Sequence, residues 1–177
     1  MNTDVSVRTL RATLPMEEFA RRFRLDIPVE QLCGACPNYG RRWACPPLSP
    51  ADCITHYSTI EVWVVQITPA QTDLPLSEAH PIIAAQRAVV EPQMLAREAE
   101  LHGRAALFTG LCPHCPHQQC ARIAGEPCRH PELVRPSLEA LGFNLGEVTR
   151  ELFNVDMLWG RHGRLPQYLT LVGAVCY

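Results

Sequence analysis

Residues 111–131 read LCPHCPHQQCARIAGEPCRHP, and within them four cysteines follow the spacing C-x2-C-x4-C-x7-C. These cysteines are Cys112, Cys115, Cys120 and Cys128. The prolines between them disfavour a helix or a strand. Dense cysteines in an irregular segment are typical of a loop that wraps around a metal ion or a metal cluster. We therefore expect all four thiolates to be ligands of one site.

A second group of cysteines lies earlier in the chain, in the segment LCGACPNYGRRWACPPLSP at 32–50. Its close members follow the spacing C-x2-C-x8-C and are Cys33, Cys36 and Cys45. Three thiols leave the fourth ligand open, and the candidates are Cys53, Cys176, His56, a group from residues 111–131, or none. Without a fourth ligand, one iron of a cluster would be open to a small molecule, and the site would be catalytic. We favour a closed site.

Composition and charge narrow the class of protein. The chain has 177 residues, nine cysteines and a formal net charge of −2. It has no run of about 18 apolar residues, and its first residues lack the apolar segment of a signal peptide. These features predict a cytoplasmic protein without a membrane partner or a specific nucleic-acid partner. The cytosol keeps thiols reduced, so cysteine groups there hold metal more often than they form disulfides.

The spacing of the later cysteines favours iron–sulfur over zinc. Zinc sites usually combine two C-x2-C pairs separated by a dozen or more residues. Here only the first pair has that form, and the singly spaced cysteines after it resemble a ferredoxin segment. We predict one or two [4Fe-4S] clusters, with zinc as the alternative, and Arg129 could stabilise the negative charge of a cluster. Three histidines could replace a cysteine at zinc or lie exposed beside the site: His114, His117 and His130.

The remaining sequence predicts a single α/β domain over 1–177, with cysteine-rich segments at 32–53 and 111–131. Apolar runs of strand length predict strands at 61–68, 104–109 and 168–176. An apolar stripe predicts a helix over 78–102, which Pro92 kinks or divides. Strand, helix and strand form a βαβ unit, so the first two strands should be parallel within a small mixed sheet. The later cysteines then follow the carboxyl end of a strand, where such sheets place their sites. Whether the earlier cysteines lie beside them or form a separate lobe stays open.

Shorter elements complete the prediction. A strand is expected at 4–10, and Pro15 begins a helix whose buried face includes Phe19 and Phe23. Asn144 and Glu147 have the spacing of a capping box at a helix start. Short helices are expected at 51–57 and 132–141. The second of these contains Arg135-Pro136-Ser137-Leu138-Glu139, which is either an ordinary helix start or one that orients the cysteine loop through Arg129, Arg135 and Glu139.

Two blocks of the chain resemble a bacterial and archaeal family of predicted metal-binding proteins with a domain of unknown function. The first block is Cys33-x2-Cys36, Tyr39-Gly40 and Trp43-x-Cys45-Pro46-Pro47. The second is Cys112-x2-Cys115, Cys128-Arg129-His130-Pro131 and Arg135-Pro136-Ser137-x-Glu139-Ala140-x-Gly142. The resemblance spans about residues 30–150 and implies metal binding without an established reaction. The family's second block opens with C-x2-C-x2-C, whereas the third cysteine here is Cys120, so the resemblance assigns Cys120 no role.

Three functions are compatible with these features. The first is a small iron–sulfur protein that transfers electrons to a redox-partner protein or serves as an accessory to a redox enzyme. The second is a zinc-stabilised structural or interaction module. The third is an enzyme that uses an open iron at the three-cysteine site. The sequence contains no phosphate-binding glycine loop and no H-E-x-x-H motif, so we favour an electron-transfer or accessory protein over a stand-alone enzyme.

Overall fold

The structure is a computed structural model, which describes residues 4–48, 54–108, 112–115 and 119–177. One sheet holds four strands in the order β1-β2-β4-β3. The strands are β1 (Val5–Pro15), β2 (Thr59–Pro69), β3 (Arg104–Ala106) and β4 (Leu169–Cys176). The α-helices are α1 (Met16–Phe23), α2 (Val29–Cys33), α3 (Ala79–Glu100) and α4 (Leu145–Phe153). The predicted α/β class is therefore confirmed. No helix among the described residues is long and apolar enough to cross a membrane.

The strand pairing differs from the mixed sheet that the sequence predicted. β2 and β3 run in the same direction, as expected, because both are antiparallel to β4. However, β4 lies between them, so every described ladder is antiparallel. The physical reason is the sequence of β4, which is buried along almost its whole length. A strand that is apolar on both faces gains most from a central place in a sheet.

The sheet is covered on both faces, as the apolar run at 61–68 predicted. Alternate residues of β2 point to opposite sides. Ile60, Val62 and Val64 pack in a cluster with residues of α1 and α4. Trp63, Val65 and Ile67 pack in a second cluster with residues of α3. The cysteine loops described below adjoin this second layer, beyond the end of β3.

Helix α3 is continuous through Pro92, so of the two effects expected of this proline, a division of the helix does not occur. The helix continues from Ala79 to Glu100, and Pro92 lies on its exposed side. There, the carbonyl that loses its hydrogen-bond donor can be solvated. Val90 and Met94 are buried on the opposite side, so the predicted apolar stripe is present.

The predicted helix at 132–141 is wrong, because that segment forms turns and extended chain. Pro136 disfavours a helical conformation at Arg135 and provides no backbone donor of its own. Instead, the carbonyl of Pro136 accepts a hydrogen bond from the backbone of Leu107 at 3.0 Å. The helix start predicted at Asn144 is confirmed, since its side chain accepts from the backbone of Glu147 at the start of α4. The second hydrogen bond of a capping box is not formed, because the amide of Asn144 donates to the carbonyl of Phe23 at 2.8 Å. The helix expected at 51–57 is a single turn over Ile54–His56, and 51–53 lie outside the described residues.

Arg135, which lies in the extended chain before Pro136, links this segment to α3 through an ion pair with Glu98. Its Nε donates to Glu98 Oε2 at 2.7 Å and its Nη2 donates to Glu98 Oε1. The backbone of Ala105 donates to the same carboxylate at 2.6 Å. Burial raises the pKa of Glu98, but the hydrogen bonds from Arg135 and Ala105 outweigh it, so the net pKa is lowered.

Glu98→Gln should lower the free energy of unfolding by about 3 kcal/mol at neutral pH, because it leaves a largely buried guanidinium without its charge partner. Since folding lowers the Glu98 pKa, its contribution is complete above the ordinary value of 4.5 and is lost as pH falls below it. Urea unfolding between neutral and acid pH measures both effects. Glu18→Gln, in an exposed pair with Arg22, should cost much less, because solvent screens this pair. Equal losses for the two variants would contradict this account.

Gly173 allows α3 and β3 to approach the centre of β4. A Cβ there would lie 2.7 Å from Met94 Cε and 2.9 Å from the backbone oxygen of Ala106. Gly173→Ala should therefore destabilise the protein by about 1–3 kcal/mol through overpacking. Gly146→Ala is the matched control, because its Cβ has only an ordinary contact at 3.4 Å and alanine favours a helix. Thermal unfolding of both variants measures the effect. A Gly173→Ala variant as stable as the wild type would contradict the packing argument.

Candidate metal centre

The first cysteine loop, residues 33–47, begins where α2 ends and is folded by its own backbone. The amide of Cys36 donates to the carbonyl of Cys33 at 2.8 Å, and the amide of Cys45 donates to that of Arg42 at 3.1 Å. The amide of Gly40 reaches the carbonyl of Pro46 at 2.8 Å. Gly40 has a φ of 66°, a value that glycine adopts without a steric cost. These bonds turn the chain so that its three cysteines face one side.

The second cysteine loop, residues 112–131, starts shortly after the end of β3. Its described parts are 112–115 and 119–131. A single helical turn, Ala121–Ala124, separates Cys120 from Cys128 and ends at Gly125 with a left-handed φ of 72°. The loop therefore lies beyond the carboxyl end of a strand, where the sequence placed it.

Arg122 joins the two loops. Its Nη1 donates to the carbonyls of Arg42 and Cys45, both at 2.9 Å. Its Nη2 donates to the carbonyl of Pro47 at 2.7 Å. A charged donor makes stronger hydrogen bonds than a neutral one, and three carbonyls of one loop converge on a single guanidinium. The loops are therefore neighbours, which decides between the two placements that the sequence left open.

Trp43 makes the second link between the loops. Its indole Nε1 donates to the carbonyl of Glu126 at 3.1 Å. The guanidinium of Arg122 lies over the same indole ring, 4.8 Å from its centroid. This cation–π contact adds to the hydrogen bonds of Arg122. Arg129, which the sequence suggested for the role of stabilising a cluster, is exposed and pairs with Glu126 at 3.3 Å.

Two cavities lie beside the loops. The larger has a volume of about 390 Å³, and the cysteines on its wall are Cys33, Cys36, Cys45 and Cys112. The smaller has a volume of about 20 Å³, and the cysteines on its wall are Cys112, Cys115, Cys120 and Cys128. The cavities share Ala44, Cys112 and His114. All seven cysteines of the two loops thus line one of two adjoining cavities.

The side chains are grouped around the cavities without forming a compact single-ion site. Among the residues that the structure describes, no three His, Cys, Asp or Glu side chains form a group able to hold a metal ion as they stand. The donor chemistry nevertheless fits thiolate-bound metal, because four thiols surround one small cavity and three more face its neighbour. A metal would draw these thiolates together, as its binding is coupled to folding of the loop that carries them.

The thiols influence one another electrostatically. Burial raises the pKa of Cys33 and of Cys45, and in both cases the neighbouring Cys36 adds to the rise. Burial also raises the pKa of Cys112, a backbone hydrogen bond at His114 opposes the rise, and the charges of Cys115, Cys128 and Cys120 add to it. Cys33, Cys45 and Cys112 therefore favour the protonated form until a cation compensates the negative charge of their thiolates.

The remaining candidate ligands have different locations. Cys176 is fully buried in β4, and the ring of His56 stacks on Tyr57 with 4.3 Å between centroids. Neither is among the described residues that line the two cavities. His114 and His130 line the smaller cavity. Cys53 and His117 lie outside the described residues, so their predicted roles stay predictions.

Sequence reasoning missed Arg122 and the contribution of α3 to the larger cavity, and it named Trp43 as part of a motif without predicting its contact with the second loop. The α3 residues on its wall are Arg87, Glu91 and Leu95. Their spacing of four residues places them on one helix face, and this spacing was the signal that could have identified them. Arg87 Nε donates to Glu91 Oε1 at 2.7 Å. Burial raises the pKa of Glu91, although the charge of Arg87 opposes the rise.

The fold and the site define an α/β protein with two adjoining groups of thiols, a donor set typical of metal-binding proteins. Comparison with known families gives the same class. The chain belongs to the family described as predicted metal-binding protein (DUF2284), whose model matches residues 21–176. No curated protein and no solved structure matches the chain.

Proposed function

We propose that the protein is an iron–sulfur protein with two neighbouring sites, which transfers electrons to a redox partner or serves as an accessory to a redox enzyme. The observation that carries this proposal is the arrangement of three thiols and four thiols around two cavities that share a wall. Thiolates are the ligands by which proteins hold iron–sulfur clusters. Two adjoining sites can pass an electron from one to the other, whereas a structural zinc requires only one group of thiols.

The cysteines divide between the two sites. One cluster would be held by Cys112, Cys115, Cys120 and Cys128, and the other by Cys33, Cys36 and Cys45. When bound, a cluster supplies reversible storage of an electron at a potential set by hydrogen bonds and burial. Leu107 and Phe108 are buried and line the larger cavity. These apolar side chains exclude water from one wall of the site formed by Cys33, Cys36 and Cys45, which is called the first site below.

The surface near the loops supports a protein partner. Leu32, Ile123 and Leu133 are large apolar side chains that are 53%, 52% and 40% exposed. Leu32 precedes the first cysteine of its loop, Ile123 lies between Cys120 and Cys128, and Leu133 lines the larger cavity. Exposed apolar side chains around a site are typical of a protein-binding surface. Electron transfer to a partner docked here would start close to both sites.

The small volume beside the second loop favours a second candidate function. A space of about 20 Å³ suits a single ion better than a four-iron cluster. Four thiolates at one ion are the ligand set of a structural zinc site. In this alternative the two loops form a zinc-stabilised interaction module.

Metal analysis of the protein purified without oxygen distinguishes the two functions. The iron–sulfur proposal predicts a brown protein with several irons and a similar number of acid-labile sulfides per chain. Reduction by dithionite should bleach its visible absorbance reversibly. A colourless protein with stoichiometric zinc and no sulfide would reject the iron–sulfur proposal and favour the zinc module.

A further inference from the structure

The two edges of the sheet differ, and the β3 edge is closed by the chain itself. β1 and β3 are the outermost strands. At the β3 edge, the amide of Ala105 donates to the carboxylate of Glu98 at 2.6 Å, and the amide of Leu107 donates to the carbonyl of Pro136 at 3.0 Å. β3 itself has only three residues. A short edge whose amides already have acceptors offers little backbone to another strand.

The β1 edge is long and regular. β1 spans Val5–Pro15, and its pairing with β2 is continuous from one end to the other. Strands commonly have about five or six residues, and edge strands of monomeric proteins are often shorter still, bulged or interrupted by proline. The only proline of β1 is its last residue, Pro15. Among the residues that the structure describes, no strand lies on the other side of β1.

Two hydrogen bonds show which residues of β1 face this free edge. The carbonyl of Asp4 accepts from the amide of Ala70, and the amide of Met16 donates to the carbonyl of Ser58, both at 2.9 Å. Ala70 follows β2 and Ser58 precedes it. Because successive residues direct their backbone groups to alternate sides of a strand, the even-numbered residues of β1 face β2. The outward residues are Val5, Val7, Thr9, Arg11, Thr13 and Pro15.

The side chains of these outward residues suit pairing with another strand. Val7 is 41% exposed and Thr9 is exposed, and β-branched residues stabilise pairs across strands. Arg11 is the one charged residue among them, and its guanidinium lies 3.4 Å from the ring centroid of Trp63. Trp63 is the residue opposite Arg11 on β2. The charge is therefore directed over the sheet of its own chain and away from the free edge.

We propose that β1 pairs antiparallel with β1 of a second copy of this chain, so that the two sheets join across a two-fold axis. Pairing centred on Leu10 uses the whole strand and sets outward residues opposite each other. Arg8 then lies opposite Ala12 of the second copy, and Arg11 opposite Thr9, so no two like charges are directly opposed. Both copies use the same edge, and the β3 edges are closed, so association ends at a dimer.

The proposal goes beyond the proposed function, because it does not depend on which metal the loops hold. It also concerns a part of the chain outside residues 21–176, which the family model matches. A strand of another protein could pair with the same edge. The two-fold self-complementarity of β1, with its arginines opposite alanine and threonine, favours a second copy.

Sedimentation velocity of the full-length protein at several concentrations, with a reductant that prevents intermolecular disulfides, tests the proposal. The wild type should reach twice the mass of one chain. Thr9→Pro removes an outward amide hydrogen without removing a β1–β2 hydrogen bond, so it should remain monomeric with an unchanged circular dichroism spectrum. Thr9→Ala keeps the amide hydrogen and should still form the dimer. A wild type that is monomeric at every concentration would overturn the proposal and leave the edge to another protein. A Thr9→Pro dimer as tight as that of the wild type would also overturn it.

Two charged variants test the same pairing independently, even where the proline variant does not fold. Thr9→Glu places a carboxylate opposite Arg11 of the second copy, twice in the symmetric dimer, and should lower the dissociation constant about tenfold. Thr9→Lys places a like charge there and should raise the constant by a similar factor. Effects of the same sign and size in both variants would overturn the proposed pairing.

Discussion

Cys128→Ser is expected to remove the metal of the second cysteine loop, which is about half of the metal in the protein if each site holds one cluster. Cys128 lines the smaller cavity with three other thiols. A serine hydroxyl has almost the same shape but is a hard oxygen donor that stays protonated, so it replaces a soft thiolate poorly. Analysis of metal and sulfide per chain, after purification without oxygen, measures the loss.

Cys176→Ala is the control for this experiment. Its thiol is fully buried in the sheet, and burial strongly raises its pKa, so it remains a protonated packing group. The variant should lose about 1 kcal/mol of stability and retain all of its metal. Metal loss in Cys176→Ala, or full retention in Cys128→Ser, would show that the ligands are assigned wrongly.

Arg122→Ala should reduce metal binding at the first site even though Arg122 carries no metal-binding group. The guanidinium holds the carbonyls of Arg42, Cys45 and Pro47. Its removal leaves the part-buried carbonyl of Cys45 without this donor, which costs about 1–3 kcal/mol if water does not reach it. The carbonyl of Arg42 keeps the hydrogen bond from the amide of Cys45, and that of Pro47 is exposed. The backbone of the first loop would then lose its position relative to the second loop. Titration of the protein with metal should show an affinity lower by roughly 10- to 100-fold, as for supporting groups at other metal sites.

Arg129→Ala is the matched control, because it removes the same kind of charge from the same loop. Arg129 is half exposed, and its ion pair with Glu126 is a surface contact that contributes little. Arg122→Lys distinguishes the effect of the positive charge from that of the hydrogen bonds that position the first loop. Lysine keeps the charge but cannot donate to three carbonyls in a planar fork. If Arg129→Ala weakened metal binding as much as Arg122→Ala, the net charge of the loop would be the important property.

The cysteine groups could be read from sequence because their members are close along the chain. The hydrogen bonds that link the two groups could not be read from sequence, because Arg122 and its acceptors are separated by 75 to 80 residues. No local pattern marks an arginine that will donate to distant carbonyls. Glu139 illustrates the same limit: its motif was recognised, but its place on the wall of the larger cavity depends on an extended segment that Pro136 imposes and that was predicted as a helix.

The sequence predicted those features of the fold that depend on the residues of a single strand or helix. The apolar run in β2 predicted burial on both faces, and the stripe on α3 predicted which side of the helix packs. Strand order was not predictable in this way, because it depends on competition between distant strands for the central place. β4 takes that place because it is apolar on both faces, and this separates β2 from β3.

The position of β4 also sets an order of events during synthesis. β3 pairs with β4 and with no other described strand, so it has no partner strand among the described residues until 169–176 have been made. All seven cysteines of the two loops leave the ribosome before that point, since the last of them is Cys128. The nascent chain therefore carries its reduced thiols on loops whose supporting sheet is incomplete, and the cavities take shape after the strand that completes the sheet has been added.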